Sequence, residues 1–323
     1  MSCLVTVIIP THNRPDLLDE AISSVVNQTL ADWEAIVIDD CSTPPVNPAQ
    51  LQKKFGTKVK VLRHPSSLGG AAAKNTGIKA ASGKYIAFLD DDDLYAPTYL
   101  EKAVSTLQKH PEINTLFMSV AWFGPNSKWT HESYTDAMNK ILADLAGTQV
   151  TETLLEFDAD RLFKALLKRV PMAFQRPVAA REQVMQIGLY QEDCLLWDCD
   201  WALRAALNGQ CGLVTEGLYL QRSAGQGYSS QPRRRVDHSL SNLEIKKQLI
   251  KRNVRPDLAK LIRLNYIQSA QDLSWEYINQ NQGLLAVRTM LTSFRYGIHF
   301  LQIKFLAHAI YSWGLSLCSK EQK

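Results

Sequence analysis

Four consecutive carboxylates, Asp90-Asp91-Asp92-Asp93, follow directly on the apolar segment Tyr85-Ile86-Ala87-Phe88-Leu89. An apolar run of that length reads as a buried strand, which places the acids at a strand end. Unit charges about 4 Å apart repel by roughly 4 kcal/mol at an effective dielectric near 20, so the cluster requires positive charge beside it. Mg2+ or Mn2+ fits, because these hard ions take oxygen ligands and commonly share them with substrate phosphates. The competing reading is a solvated acidic turn leading into the helix that starts near Pro97.

Three further polar segments follow the same pattern. Ile8-Ile9-Pro10-Thr11-His12-Asn13-Arg14 closes one apolar run, and Val37-Ile38-Asp39-Asp40-Cys41-Ser42 closes the next. An Asp at a strand end can accept hydrogen bonds from a uracil or guanine ring N–H or from ribose hydroxyls, and backbone groups around Pro10 and Thr11 would complete the pocket. Asp-Asp-Cys-Ser is equally a good loop before a helix cap. In Leu68-Gly69-Gly70-Ala71-Ala72-Ala73-Lys74-Asn75-Thr76-Gly77 the small residues let backbone approach a ligand, and Lys74 brings a positive charge near the cleft. This segment has neither Gly-x-Gly-x-x-Gly nor Gly-Lys-Ser/Thr, which argues against dehydrogenases and ordinary NTPases.

The elements that position these segments alternate through the first 120 residues. Strand patterns at Val5 to Ile9, Trp33 to Asp39, Val59 to Arg63 and Tyr85 to Leu89 are each followed by a helical pattern, at Leu17 to Asn27, Ala49 to Phe55, Gly70 to Ala81 and Thr98 to His110. This predicts an α/β fold with a mostly parallel central sheet flanked by helices, and ligands bind outside the carboxyl ends of such strands. From about Asn126 to Gln186 the pattern is helical with a break at Pro171, read as a variable insertion over the cleft. After Gln231 it is helical to the end, with an apolar stripe at Leu284, Val287, Leu291, Phe294, Ile298, Leu301 and Phe305. That stripe predicts a core-facing helix; an interfacial helix is the rival, since Arg288, Arg295, His299 and Lys304 flank the same face.

In order and spacing the four segments resemble the family 2 glycosyltransferases, inverting enzymes of the glycosyltransferase A-type fold whose strands end in P-T-[YH]-N-R, D-D-x-S and F-L-D-x-D-D. The resemblance runs through about residue 120. It implies that Asp40 recognises the base with Asp39 in support, that Pro10, Thr11, Asn13, Arg14, Gly69, Lys74, Asn75 and Asp91 bind the nucleotide-sugar, and that Asp90 and Asp92 form the D-x-D pair on ribose and metal. A second stretch, Trp197-Asp198-Cys199-Asp200-Trp201-Ala202-Leu203-Arg204, is similar to the family's E-D-x-D-L-W-L-R, whose first Asp is the catalytic base. Asp198 corresponds, with Trp197 in place of the Glu; Glu192 or Asp193 is the reserve, and acids on a helix dipole are the alternative reading. The family often carries a His downstream, whereas Tyr219-Leu220-Gln221-Arg222-Ser223 has none; Arg222 can pair with the diphosphate bidentately.

The resemblance implies a catalytic region over residues 1–230, divided into a nucleotide-sugar half (1–120) and an acceptor half (121–230), and a helical extension over 231–323. It implies a nucleotide-diphospho-sugar donor, UDP-sugar favoured, a glycan or lipid-linked acceptor, and Mg2+ or Mn2+. A sugar nucleotidyltransferase and a non-catalytic protein of the same fold are the alternatives. The first would be expected to carry a basic triphosphate loop, and Thr11 to Asp16 supplies only Arg14.

Composition agrees with a globular chain: 323 residues, 46% hydrophobic, 21% charged. A net charge of +4 gives no reason to expect nucleic acid, despite Arg233-Arg234-Arg235. The six cysteines form no CxxC pair, which suits a reduced, cytoplasmic protein. No signal peptide is expected, and Phe305 to Cys318, at 14 residues, is short of the roughly 20 that a spanning helix needs. The basic C-terminal helices suit peripheral association with the cytoplasmic face of an inner membrane.

Overall fold

The computed structural model describes residues 3–145, 148–223 and 234–318. They divide into two units, one running to Glu192 and including residues 197–223, the other comprising Asp193–Leu196 with residues 234–318. The expected boundary between residues 230 and 231 falls outside the described residues.

The first unit opens as the periodicity predicts: β1 (Val5–Thr11), α1 (Pro15–Val26), β2 (Trp33–Asp39), α2 (Pro48–Phe55), β3 (Val59–Arg63), α3 (Gly70–Ala80) and β4 (Tyr85–Phe88). All strand contacts among β3, β2, β1 and β4 are parallel. Continuous apolar strands need cover on both faces. On one face Val5, Val7 and Ile9 join Leu18, Ala21, Ile22 and Val25 of α1 in the core. On the other, Ile8 lies so close to α3 that a Cβ on Gly77 would come within 2.4 Å of it.

The chain continues through β5 (Leu94–Tyr95), α4 (Tyr99–Lys109), β6 (Thr115–Phe123), α5 (Ser127–Leu145), β7 (Thr148–Thr151), β8 (Leu154–Phe157), α6 (Ala159–Lys168), β9 (Pro177–Ala180), α7 (Arg181–Ile187), α8 (Trp197–Ala206) and β10 (Cys211–Arg222). The sheet order is β3-β2-β1-β4-β9-β6-β10-β8-β7, with β5 paired to β10. β9 lies antiparallel between β4 and β6, so the sheet as a whole is mixed. The stretch expected to be a helical insertion therefore also contributes three strands. Each has only four residues, too few for a period-2 signal to stand out beside the strongly amphipathic α6.

The second unit contains α9 (Arg235–Ile250), α10 (Pro256–Asn279), α11 (Gly283–Ser293) and α12 (Phe300–Cys318). The apolar stripe expected to face a core is not one continuous face. Gly297, at φ 149°, interrupts it between α11 and α12, and Leu284, Leu291, Ile298 and Leu301 are exposed while Val287 is buried. The inward positions are instead Ala286, Val287, Met290, Gln302 and Ala309. Among the described residues no helix is long and apolar enough to cross a membrane.

Candidate active site

The Asp run begins just beyond β4, beside the carboxyl ends of β1 and β10, and its counter-charge comes from the protein. Asp90 Oδ1 is 2.8 Å from the Lys74 ammonium, and its Oδ2 is 3.4 Å from Arg176 Nη2. Asp91 accepts from the Thr11 hydroxyl at 2.7 Å and from Arg14 at 3.0 Å. Arg14 also reaches Asp92 Oδ2 at 2.9 Å. Asp93 accepts from the Tyr219 hydroxyl at 3.0 Å and from the Arg222 backbone N–H at 2.9 Å, with Arg176 Nη2 at 3.7 Å.

These surroundings split the carboxylates. Burial alone would raise Asp90, but Lys74 and Arg176 hold it below the ordinary Asp range. Burial dominates at Asp93 and pushes it up, against Arg176 and with the repulsion of Asp90 and Asp92. Burial likewise raises Asp91, opposed by Thr11 and Arg14.

The neighbouring pair Asp39-Asp40 is used differently. Asp39 is fully buried and accepts from the Ser42 N–H at 2.8 Å, the Val46 N–H at 3.1 Å and the Arg63 guanidinium. Asp40 takes four donors: Leu68 N–H and His64 Nδ1 on one oxygen, Gly69 N–H and the Ser67 hydroxyl on the other, at 2.7–2.8 Å. Both acids fall below the usual range because these donors outweigh burial. Asp40, expected at the base, here organises residues 64–69 through these four bonds. Gly69, expected at the ligand, serves as one of those donors.

Asn75 also turns inward. It is 2% exposed, and its side chain exchanges hydrogen bonds with the Tyr190 backbone at 2.8 and 2.9 Å and donates to Glu192 at 2.8 Å, so it pins residues 190–192. Asn13, at φ 57°, joins the end of β1 to the 42–43 loop through Ser42 and the Thr43 N–H. Pro10 pairs in register with Ile38. The Arg222 guanidinium donates to the Asp92 carbonyl at 2.9 Å and pairs with Glu20, which ties it to the frame. Thr11, Arg14, Lys74 and the Asp run thus converge, whereas Asn13, Asp39, Asp40, Gly69 and Asn75 knit the loops around them.

Asp198 lies in the first turn of α8, where Oδ1 accepts the Cys199 N–H at 2.8 Å. Burial raises its pKa, Arg176 and Lys74 pull against that rise, and Asp90 adds to it, so it shares the field of the Asp run. Its neighbour Trp197, standing where the family has a Glu, presents its ring 4.4 Å from the Lys74 ammonium. That is a cation–π contact. Asp200 and Arg204 are structural: they pair at 2.8 Å in the interior, and Arg204 donates to the carbonyls of Ile187, Gly188 and Leu189.

Among the described residues no group of three or more His, Cys, Asp or Glu could cage a metal. The donor set suits instead an ion shared with substrate phosphates, held through one or two carboxylates. Asp92 is the most open member of the run, with its side chain 40% exposed and one oxygen on Arg14. Asp90 is clamped by two cations and is the poorer ligand.

The sequence model of Glycosyl transferase family 2 matches residues 6–163, which include every strand end described above up to the Asp run. This chain carries a family 2 glycosyltransferase domain. A glucosyltransferase of Escherichia coli, WfgD, described as acting on UDP-Glc and α-D-GlcNAc-diphosphoundecaprenol, is 38% identical over 107 residues, 33% of this chain and 42% of that protein. The poly(ribitol-phosphate) β-glucosyltransferase of Bacillus spizizenii is 32% identical over 194 residues, 58% of this chain and 29% of that protein. The chain thus spans less than half the length of these curated relatives. In structure it is similar to residues 1–349 of S. aureus TarS, solved with UDP-GlcNAc, at 17% identity and a TM-score of 0.64, covering 99% of this chain and 92% of that one.

Three residues of the first unit carry roles at the site that no motif assigns them. Arg176, 5% exposed and just before β9, faces Asp90 and Asp93, stacks 4.6 Å from the Tyr219 ring, and has an Nε with no partner among the described residues. Tyr219 links the run to β10, and His64 links Asp40 to the Thr76 hydroxyl. Arg176 follows no motif, and its only sequence signal is an Arg before an apolar segment.

Proposed function

We propose that this chain is an inverting glycosyltransferase that moves a sugar from a nucleotide-diphospho-sugar, a UDP-sugar in the favoured case, to a hydroxyl of a glycan or lipid-linked glycan in bacterial surface polysaccharide synthesis. The observation that carries the reading is Asp198, a carboxylate whose pKa burial raises beside Lys74, Arg176 and the Asp run. A general base works best with a pKa drawn toward the operating pH. Asp198 would take the proton of the acceptor hydroxyl as its oxygen attacks the anomeric carbon, and the bond from that carbon to the diphosphate oxygen would break with its electron pair leaving on the diphosphate. An oxocarbenium-like transition state follows from that bond order. Arg14 and Lys74 lie beside the run to receive the growing negative charge, the kind of stabilisation that is commonly the largest single contribution.

Asp92, with Asp90 as the weaker partner, would hold Mg2+ or Mn2+ against the donor phosphates. When bound, that ion supplies charge neutralisation at the leaving group. The UDP-GlcNAc complex of TarS and the UDP-Glc specificity in the name of WfgD support a uridine donor, and the diphosphoundecaprenol in that name supports a lipid-linked acceptor presented at a membrane.

Asp198→Asn is expected to lower turnover by about 10²–10⁴ while donor binding and the unfolding temperature persist. Binding is read by thermal shift with UDP, GDP, dTDP and CDP, where a ligand at a hundred times its Kd stabilises by about 2.7 kcal/mol. A fully active Asp198→Asn protein would remove the assignment, and a response to GDP alone would reassign the nucleotide.

A further inference from the structure

The chemistry above makes no use of the outer face of α12. Its inner side is set by Gln302 and Ala309, both fully buried, with Leu306 and Trp313 packed beside Ala309 and α11 drawn so close that a Cβ on Gly283 would meet the Trp313 backbone at 2.7 Å. Turned away from that side, Phe300, Ile303, Ile310 and Tyr311 recur at helical spacing and are 66, 53, 50 and 66% exposed. Ile298, in the connection to α11, is 81% exposed. A helix apolar on every side is ordinarily buried, and a contiguous exposed apolar face marks an interaction surface.

The charge pattern selects the occupant. From residue 277 to residue 318 the chain contains no Asp or Glu, whereas Arg288, Arg295 and Lys304 supply cations and His299 and His308 two imidazoles. Lys304 lays its ammonium 4.9 Å from the Phe300 ring, so its stem runs along the apolar face with the charge at the edge. A large apolar face with aromatic residues, edged by Lys304 and carried on a stretch of chain whose only charged residues are basic, is the chemistry of an anionic lipid surface, on which a helix lies in the interfacial plane. We propose that α11 and α12 dock this unit flat on a bilayer containing anionic lipid. The inference stands apart from the sugar chemistry and is read without it.

The test is flotation of the full chain with vesicles of phosphatidylcholine alone and of phosphatidylcholine mixed with phosphatidylglycerol. Three basic residues near the surface predict a preference for the anionic vesicles on the order of a hundredfold, falling as salt is added. Ile303→Ser, Ile310→Ser and Tyr311→Ser combined should reduce binding at least about tenfold, with the unfolding temperature and transfer to a water-soluble acceptor unchanged. Lys304→Ser with Arg288→Ser should lower the preference for phosphatidylglycerol and leave the weak binding to phosphatidylcholine. Absence of wild-type binding to either vesicle, or undiminished binding by the triple variant, overturns the proposal. Light scattering that finds a wild-type dimer dissociated by the triple substitution, with no vesicle binding, assigns the face to a second copy of the chain and also overturns it.

Discussion

Two acidic clusters stand at neighbouring strand ends, and they differ in who donates to them. Asp39 and Asp40 are held largely by backbone N–H groups, from Ser42, Val46, Leu68 and Gly69, which cannot leave without unfolding the loops that carry them. Asp90 to Asp93 are held mostly by side chains, among them Arg14, Lys74, Arg176 and Tyr219. A side-chain cation can swing to a phosphate and back; a backbone amide in a closed loop cannot. The first cluster therefore builds the frame, and the second remains available for ligand chemistry.

The sharpest break of that contrast is Arg176→Met. Removing one partner of a buried ion pair typically costs about 3–5 kcal/mol, and urea titration should register a loss of that size. It also removes a cation that opposes the rise of Asp198, so in whatever protein folds the acid limb of activity should move to higher pH. Arg176→Lys keeps the charge but loses the planar stack on Tyr219, and should restore the pH profile more fully than the stability.

Asp40→Ala tests the frame. It strands buried donors on His64, Ser67, Leu68 and Gly69, and roughly 3 kcal/mol of stability should go with it, seen as a lowered unfolding midpoint. A near-neutral result would return Asp40 to the ligand side of the comparison.

pH separates the clusters without mutation. Asp39 and Asp40 have folded pKa values below the ordinary 3.8, so their contribution to stability is complete above that value and is lost as pH falls through it toward the folded pKa. Asp198 is raised above 3.8 and must be ionised to act as base, so activity should fall on acidification while the fold still stands. Circular dichroism and initial rates measured over the same pH series would show the rate lost first.

The mildest change is Asp92→Asn. An exposed pair with Arg14 contributes little, so stability should shift by less than about 0.5 kcal/mol while the response of nucleotide binding to Mn2+ disappears.

The first four strands were legible because each is a continuous apolar run between turn residues, and the structure places them within a residue or two of the sequence bounds. The position of the Asp run at the end of β4 was legible for the same reason. The division of labour between the acids was not, because Asp39-Asp40 and Asp90-Asp91 look alike until their donors are known. Arg176 was hidden by topology: it reaches Asp90 only because β9 enters the sheet antiparallel beside β4. The direction of the C-terminal stripe was hidden because α12 is apolar on both of its faces, and because Gly297 separates it from α11.

The insertion of β9 has one more consequence. The match to the family's sequence model ends at residue 163, ahead of both Arg176 and Asp198. A protease fragment or recombinant piece cut there would leave β4 with an open edge, ready to pair with another molecule, and would retain the acids without the buried arginine that tempers them. The border of the matched sequence model and the border of the sheet lie in different places in this molecule, and an exchange of modules between relatives would have to respect the second.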